Sequence, residues 1–187
     1  MRAFLSYDIV DPVFLEKVSH LQNELKSTGA DLKLVNADIL HFTIRFLGEI
    51  DEEDKLQIVN ALRGKVENFE LDLVFRGIGA FPDERRISVI WIGLDPSSAS
   101  TLEKQALTVN SLLKTVQVGG SSDPERFSPH VTIARVRSGR NKDRLVSFIY
   151  EHKNQELGSA KIKNLRLKLS HLTPSGPEYS DLHVFES

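Results

Sequence analysis

The chain has 187 residues, enough for one domain with a real core or for two small lobes sharing an interface. Its hydrophobic content of 40% and charged content of 27% are ordinary for a globular protein, and a formal net charge of −2 excludes a globally basic nucleic-acid binder, so any nucleic acid is gripped locally at an end. Cysteine is absent, which excludes disulfides and thiolate metal sites.

No apolar run approaches the length of a membrane span, and the start Met1-Arg2-Ala3-Phe4-Leu5-Ser6-Tyr7-Asp8 lacks a signal-peptide core, so a cytoplasmic protein is expected. Residues 2–9 read as a strand. Asp11-Pro12 then opens a helix whose core face is Phe14, Val18, Leu21 and Leu25, closed by Gly29. Residues 31–36 form a short strand, followed by the strand His41-Phe42-Thr43-Ile44 running to Glu49. Asp51 caps a second helix with a core face of Leu56, Val59, Leu62 and Val66, its acidic residues 51–54 suiting the helix dipole. Residues 70–78 form the next strand.

The same order then recurs. Ile87–Leu94 is a strand, Pro96-Ser97-Ser98 caps and opens a helix carrying Leu102, Ala106, Val109, Leu113 and Val116, and a polar linker spans Gly119–Glu125. His130-Val131-Thr132-Ile133 begins the second motif strand, which ends at Ser138-Gly139. A short helix over 141–152 presents Leu145, Phe148 and Ile149; residues 158–170 alternate as a strand, and Tyr179–Phe185 is the last strand after the turn Thr173–Pro177. The layout is an internal duplication over approximately 2–78 and 87–170. It predicts an α+β fold of two pseudo-symmetric lobes, each a mostly antiparallel sheet with outer helices, forming a single bilobal domain over 1–187 with its site in the cleft.

Alternation along a strand puts His41 and Thr43 on one face, and His130 and Thr132 on one face. Two such strands facing one another supply two imidazoles and two hydroxyls. One imidazole can accept a proton while the other donates one near neutral pH without a metal, which is chemistry suited to a phosphodiester.

With these residues in view, the chain resembles the two-histidine phosphoesterases, and within them the RNA 2′,3′-cyclic phosphodiesterases, also called 2′-5′ RNA ligases. The resemblance rests on His41-Phe42-Thr43-Ile44-Arg45-Phe46-Leu47-Gly48 and His130-Val131-Thr132-Ile133-Ala134-Arg135. Gly79-Ala80-Phe81-Pro82, Val89-Ile90-Trp91-Ile92-Gly93 and Leu172-Thr173-Pro174-Ser175-Gly176-Pro177-Glu178-Tyr179 extend it. It implies hydrolysis of 2′,3′-cyclic phosphate RNA ends or cyclic nucleotides to 2′-phosphates with no metal and no nucleotide cofactor; a monomer without a membrane partner is expected. It further implies His41 as proton donor, His130 as proton acceptor, Thr43 and Thr132 as holders of phosphate oxygens, and Arg135 as a substrate contact.

Two alternatives stay open: joining of cyclic-phosphate and 5′-hydroxyl RNA ends in a 2′-5′ linkage, and a non-catalytic module that binds RNA ends. Strand parity bears on the substrate contacts. Arg135, five after His130, falls on the opposite face of a regular strand and reaches the cleft only if the strand bulges or ends before it. Otherwise Arg45, on the His41 face, is the better phosphate partner. Phe46 is a candidate substrate contact whose parity favours core packing, whereas Phe81, in a Gly/Pro loop, can stack on a terminal base. The family pattern has Arg where this chain has Ser88, with Arg85 and Arg86 as the nearest substitutes. Trp91 is expected in the core, and His20, His152, His171 and His183 in structural or solvated positions.

Overall fold

The computed structural model describes residues 1–116 and 127–186; the linker expected at 119–125 lies outside them. In chain order the elements are β1 (Arg2–Asp8), α1 (Pro12–Ser27), β2 (Leu32–Leu34), β3 (His41–Glu49), α2 (Glu52–Leu62), β4 (Glu70–Phe81), β5 (Val89–Leu94), α3 (Pro96–Leu112), β6 (Val131–Val136), α4 (Lys142–Glu151), β7 (Glu156–Lys163), β8 (Arg166–Thr173) and β9 (Gly176–Val184). A 3₁₀ turn over Ala37–Ile39 leads into β3.

The strands form two antiparallel sheets in the order β3-β1-β8-β9 and β2-β6-β5-β4-β7, giving the α+β, two-lobed architecture. The lobes correspond strand for strand, β3-β1-β8-β9 matching β6-β5-β4-β7. They are not the two halves of the sequence. β4 leaves the first half to pair with β5 and β7, while β8 returns to pair with β1 and carries β9 on its outer side. The 158–170 stretch is accordingly two strands in different sheets, and the chain changes sheet at Asn164, which takes up a left-handed φ of 59°.

Helix starts follow local chemistry. Asp11 accepts from the Phe14 amide with Pro12 in the first turn, and Asp51 and Asp54 form a reciprocal capping box. Asp95, not Ser97 or Ser98, caps α3; the Ser98 hydroxyl instead accepts from the Val74 amide in β4. Of the core face expected for α2, Val59, Leu62 and Val66 are buried, whereas Leu56 is 61% exposed and Ile58 takes its place in the core. The helices bury their apolar faces with one face of each sheet in a continuous core that includes Leu5, Tyr7, Phe42, Phe75, Ile90, Ile92 and Ile133. The other faces of the two sheets look onto a cleft. Among the described residues no helix is long and apolar enough to cross a membrane.

Candidate active site

His41 opens β3 and His130 immediately precedes β6, and these two strands meet across the cleft. Each imidazole is fixed in the same way. The Nδ1–H of His41 donates to the Ile39 carbonyl at 2.8 Å, and that of His130 donates to the Ser128 carbonyl at 2.7 Å. A carbonyl only accepts, so Nδ1 carries a proton in both rings and Nε2 is left as the exchanging nitrogen. The Nε2 of His41 is 3.1 Å from the Thr43 hydroxyl.

Burial pushes the His41 pKa below the ordinary imidazole value of 6.5. The Ile39 carbonyl and Asp8 oppose that shift, and Lys168 and His130 add to it. The effect of His130 on His41 is itself a sign that the two rings share the cleft.

The two motif strands carry the same irregularity. In β3, Ser6 pairs with Thr43 and Leu5 with Arg45, which leaves Ile44 as an extra residue. In β6, Trp91 pairs with Thr132 and Ile90 with Ala134, which leaves Ile133 as an extra residue. Each bulge lies three residues after its histidine and turns both the Ile and the next residue to the core side. The residue five after each histidine therefore returns to the cleft face. In β6 that residue is Arg135, which shares the face of Thr132 and lies close enough to Tyr179 for its charge to oppose the burial that raises the phenol pKa. The bulge that sequence parity required for Arg135 is present.

The equivalent bulge in β3 overturns two expectations. Arg45 leaves the His41 face, and its guanidinium bonds Asn110 of α3 at 3.4 Å on the helix side. Phe46 is not core. It is 75% exposed on the cleft face, its ring 6.3 Å from that of Phe4.

The bulged carbonyl of Ile133 is held from α1. Gln22, only 6% exposed, donates from Nε2 to the Ile133 carbonyl at 2.9 Å and to the Val35 carbonyl at 2.8 Å. The Val35 amide also donates to the Ile133 carbonyl, at 2.9 Å.

Aromatic rings pack beside both histidines. His41 lies 5.2 Å from Phe4 and edge-on to Tyr179 at 5.3 Å; His130 lies edge-on to Phe81 at 4.9 Å and 6.3 Å from Trp91. Trp91 is thus a half-buried cleft residue rather than a core one. Its indole lies over Gly79, where a Cβ would sit 2.2 Å from the ring, and its N–H is enclosed with no hydrogen-bond partner among the described residues. Arg85 and Arg86 are exposed in the turn between β4 and β5, and the Ser88 hydroxyl donates to the Phe81 carbonyl.

The first sheet also places a charge network on the cleft face that the sequence reading missed. Asp8, the cross-strand partner of His41, accepts from Lys168 at 2.6 Å and lies 3.5 Å from Arg166. Asp181 pairs with both Lys168 and Arg166. The alternation of Arg166 and Lys168 in a strand was the available signal.

Among the described residues no group of three or more His, Asp or Glu is arranged to hold a metal ion. The remaining histidines fill structural or surface positions. His152 bonds the Phe148 carbonyl, His183 packs edge-on to Phe185, and His20 and His171 are exposed.

Known proteins share this sequence and arrangement. The family model for LigT-like phosphoesterases matches residues 10–91, a span that includes the first motif. Proteins named RNA 2′,3′-cyclic phosphodiesterase are similar over nearly the whole chain. That of Methanothermobacter thermautotrophicus is 38% identical over 99% of this chain and 98% of its own, and that of Archaeoglobus fulgidus is 32% identical over 100% of both. Among solved structures, a Thermus thermophilus protein superposes with a TM-score of 0.74 at 25% identity, covering 99% of this chain and 97% of that one. Escherichia coli LigT in its apo form, at 23% identity, has the same fold with a TM-score of 0.71 over 98% of this chain and 95% of its own. From its full-length similarity to these archaeal relatives, the chain belongs to the LigT-like phosphoesterases, in the family of the RNA 2′,3′-cyclic phosphodiesterases.

Proposed function

We propose that this protein hydrolyses 2′,3′-cyclic phosphate ends of RNA to 2′-phosphate ends, using His41 and His130 as a paired acid and base without a metal ion. The observation that carries the reading is the matched anchoring of the two imidazoles. Each Nδ1–H is held by the carbonyl two residues before it, which leaves two Nε2 atoms to exchange protons in one cleft.

In the forward reaction His130 Nε2 takes a proton from water as the water oxygen bonds to phosphorus. The bond from phosphorus to the ribose 3′ oxygen breaks, and His41 Nε2–H supplies the proton that oxygen needs. The product is a 2′-phosphate beside a 3′-hydroxyl, and the exchanged protons return through solvent.

Thr43, Thr132 and Arg135 donate to the phosphate oxygens as charge shifts onto them. Burial alone favours a neutral His41; an anionic phosphate in the cleft draws it toward the imidazolium that an acid must be. Phe81 and Phe46 offer faces for bases. The archaeal relatives' names and the nucleotide in the E. coli LigT structure solved with 3′-AMP support a substrate of this class.

The test is product analysis on an oligonucleotide ending in a 2′,3′-cyclic phosphate, with and without EDTA. The reading expects a 2′-phosphate end at a rate unaffected by EDTA. A 3′-phosphate product, or activity lost in EDTA and restored by a divalent ion, would contradict it. Adding an RNA with a 5′-hydroxyl end distinguishes ligation, which would appear as a 2′-5′ joined product.

A further inference from the structure

A second cation lies beside Arg135 on the cleft face. Lys33 of β2 is the direct cross-strand partner of Arg135 in β6, and its neighbours Leu32 and Leu34 pack on the core, so Lys33 and Arg135 project from the same face. The two are electrostatically unlike the cations opposite. Arg166 and Lys168 are both neutralised by Asp8 and Asp181, whereas among the described residues no carboxylate lies within ion-pairing distance of Lys33 or Arg135.

Lys33 is also held in place. Its ammonium donates to the Ser175 carbonyl at 2.9 Å, reaching across to the β8–β9 turn. Gly176 in that turn has φ +140°, and a Cβ there would sit 3.2 Å from Nζ, so the turn closes tightly on the amine. This bond occupies one of three N–H donors, and among the described residues no carboxylate compensates the positive charge. Thr132, Arg135 and Lys33 thus form a row running from the reacting group to the edge strand of the second sheet.

We propose that Lys33, beside Arg135, is a subsite for the backbone phosphodiester on the 5′ side of the terminal nucleoside, so that the cleft reads the end of an RNA strand in preference to a lone cyclic nucleotide. The inference rests on the proposed hydrolysis of cyclic RNA ends. An ammonium fixed at the rim attracts the next backbone charge, and a mononucleoside 2′,3′-cyclic phosphate has none to offer.

The experiment compares kcat/KM for 2′,3′-cyclic AMP with that for the dinucleotide ApA ending in a 2′,3′-cyclic phosphate. The wild-type protein is expected to favour the dinucleotide. Lys33→Gln is expected to lower kcat/KM on the dinucleotide about tenfold and to leave 2′,3′-cyclic AMP unchanged, the size of losing one charged hydrogen bond. Lys33→Arg should keep the preference. An equal loss on both substrates, or no loss on either, would overturn the subsite. Arg135→Gln is the separate control on the reacting phosphate and should slow both substrates. A wild-type protein that hydrolyses neither would overturn the proposed function and this inference with it.

Discussion

Gln22 is a buried glutamine in α1, far in sequence from either motif, yet its amide reaches the carbonyl of the bulged Ile133, 111 residues away. Gln22→Met keeps the length of the side chain and removes both donors. Two hydrogen bonds disappear, to the carbonyls of Val35 and Ile133, and the Ile133 carbonyl keeps the Val35 amide as its remaining partner. At about 1 kcal/mol for each bond, the expected loss is about 2 kcal/mol of folding stability, or roughly 4–8 °C in Tm for a chain of this size. The same change releases the bulge that turns Arg135 to the cleft. Turnover should then fall toward the level of Arg135→Ala, a loss of about 1.5–3 kcal/mol in transition-state stabilisation, or roughly 10- to 150-fold in kcat/KM. The assay is kcat/KM on a cyclic-ended oligonucleotide well below the variant's Tm, with Gln22→Met, Arg135→Ala and the double variant measured together. Because the two residues act on one contact, the double variant should be no slower than Arg135→Ala. A Gln22→Met protein that loses stability with full turnover, or a fully additive double variant, would show that the bulge does not depend on Gln22.

Arg45→Met should separate the two bulged strands. Its guanidinium bonds Asn110 rather than facing His41, so the variant should lose thermal stability while kcat/KM stays within about twofold of wild type; a specific loss of rate with unchanged stability would return Arg45 to the phosphate. The lowered pKa of His41 makes a stability prediction with a definite sign. Below about pH 6.5 the unfolded chain binds a proton at this position more readily than the folded one, so the contribution of His41 is fully present above that pH and is lost as pH falls toward the folded pKa. The Tm difference between wild type and His41→Gln should therefore shift against wild type from pH 7.5 to pH 5, and a shift in its favour would contradict the burial of the neutral ring.

Much of this was legible in the residues, and the part that was not has a common cause. Apolar spacing located α1 from Phe14, Val18, Leu21 and Leu25, all of which are buried, and β-branched alternation located both motif strands. Parity within a strand then failed at Ile44 and Ile133, because a bulge is decided by cross-strand register and, in β6, by Gln22 and Val35 from another part of the chain. That displacement put Arg45 behind the sheet and Phe46 in front of it, and it brought Arg135 into the cleft. The exchange of β4 and β8 between lobes escaped the repeat for a similar reason, since element order does not specify which strand is the neighbour. Trp91 reads as core in an apolar strand, but it faces the helix-free side, where Gly79 leaves room for its ring.

The pH dependence of turnover in His41→Ala and His130→Ala tests the paired-histidine claim most directly. One imidazole must begin neutral and the other protonated, so the wild-type rate on a cyclic-ended oligonucleotide should trace a bell across mildly acidic to neutral pH. Each variant should fall by roughly 10²-fold or more, His41→Ala removing the limb of the acid and His130→Ala that of the base. Near-wild-type rates in either variant, or a bell that keeps both limbs, would contradict the mechanism.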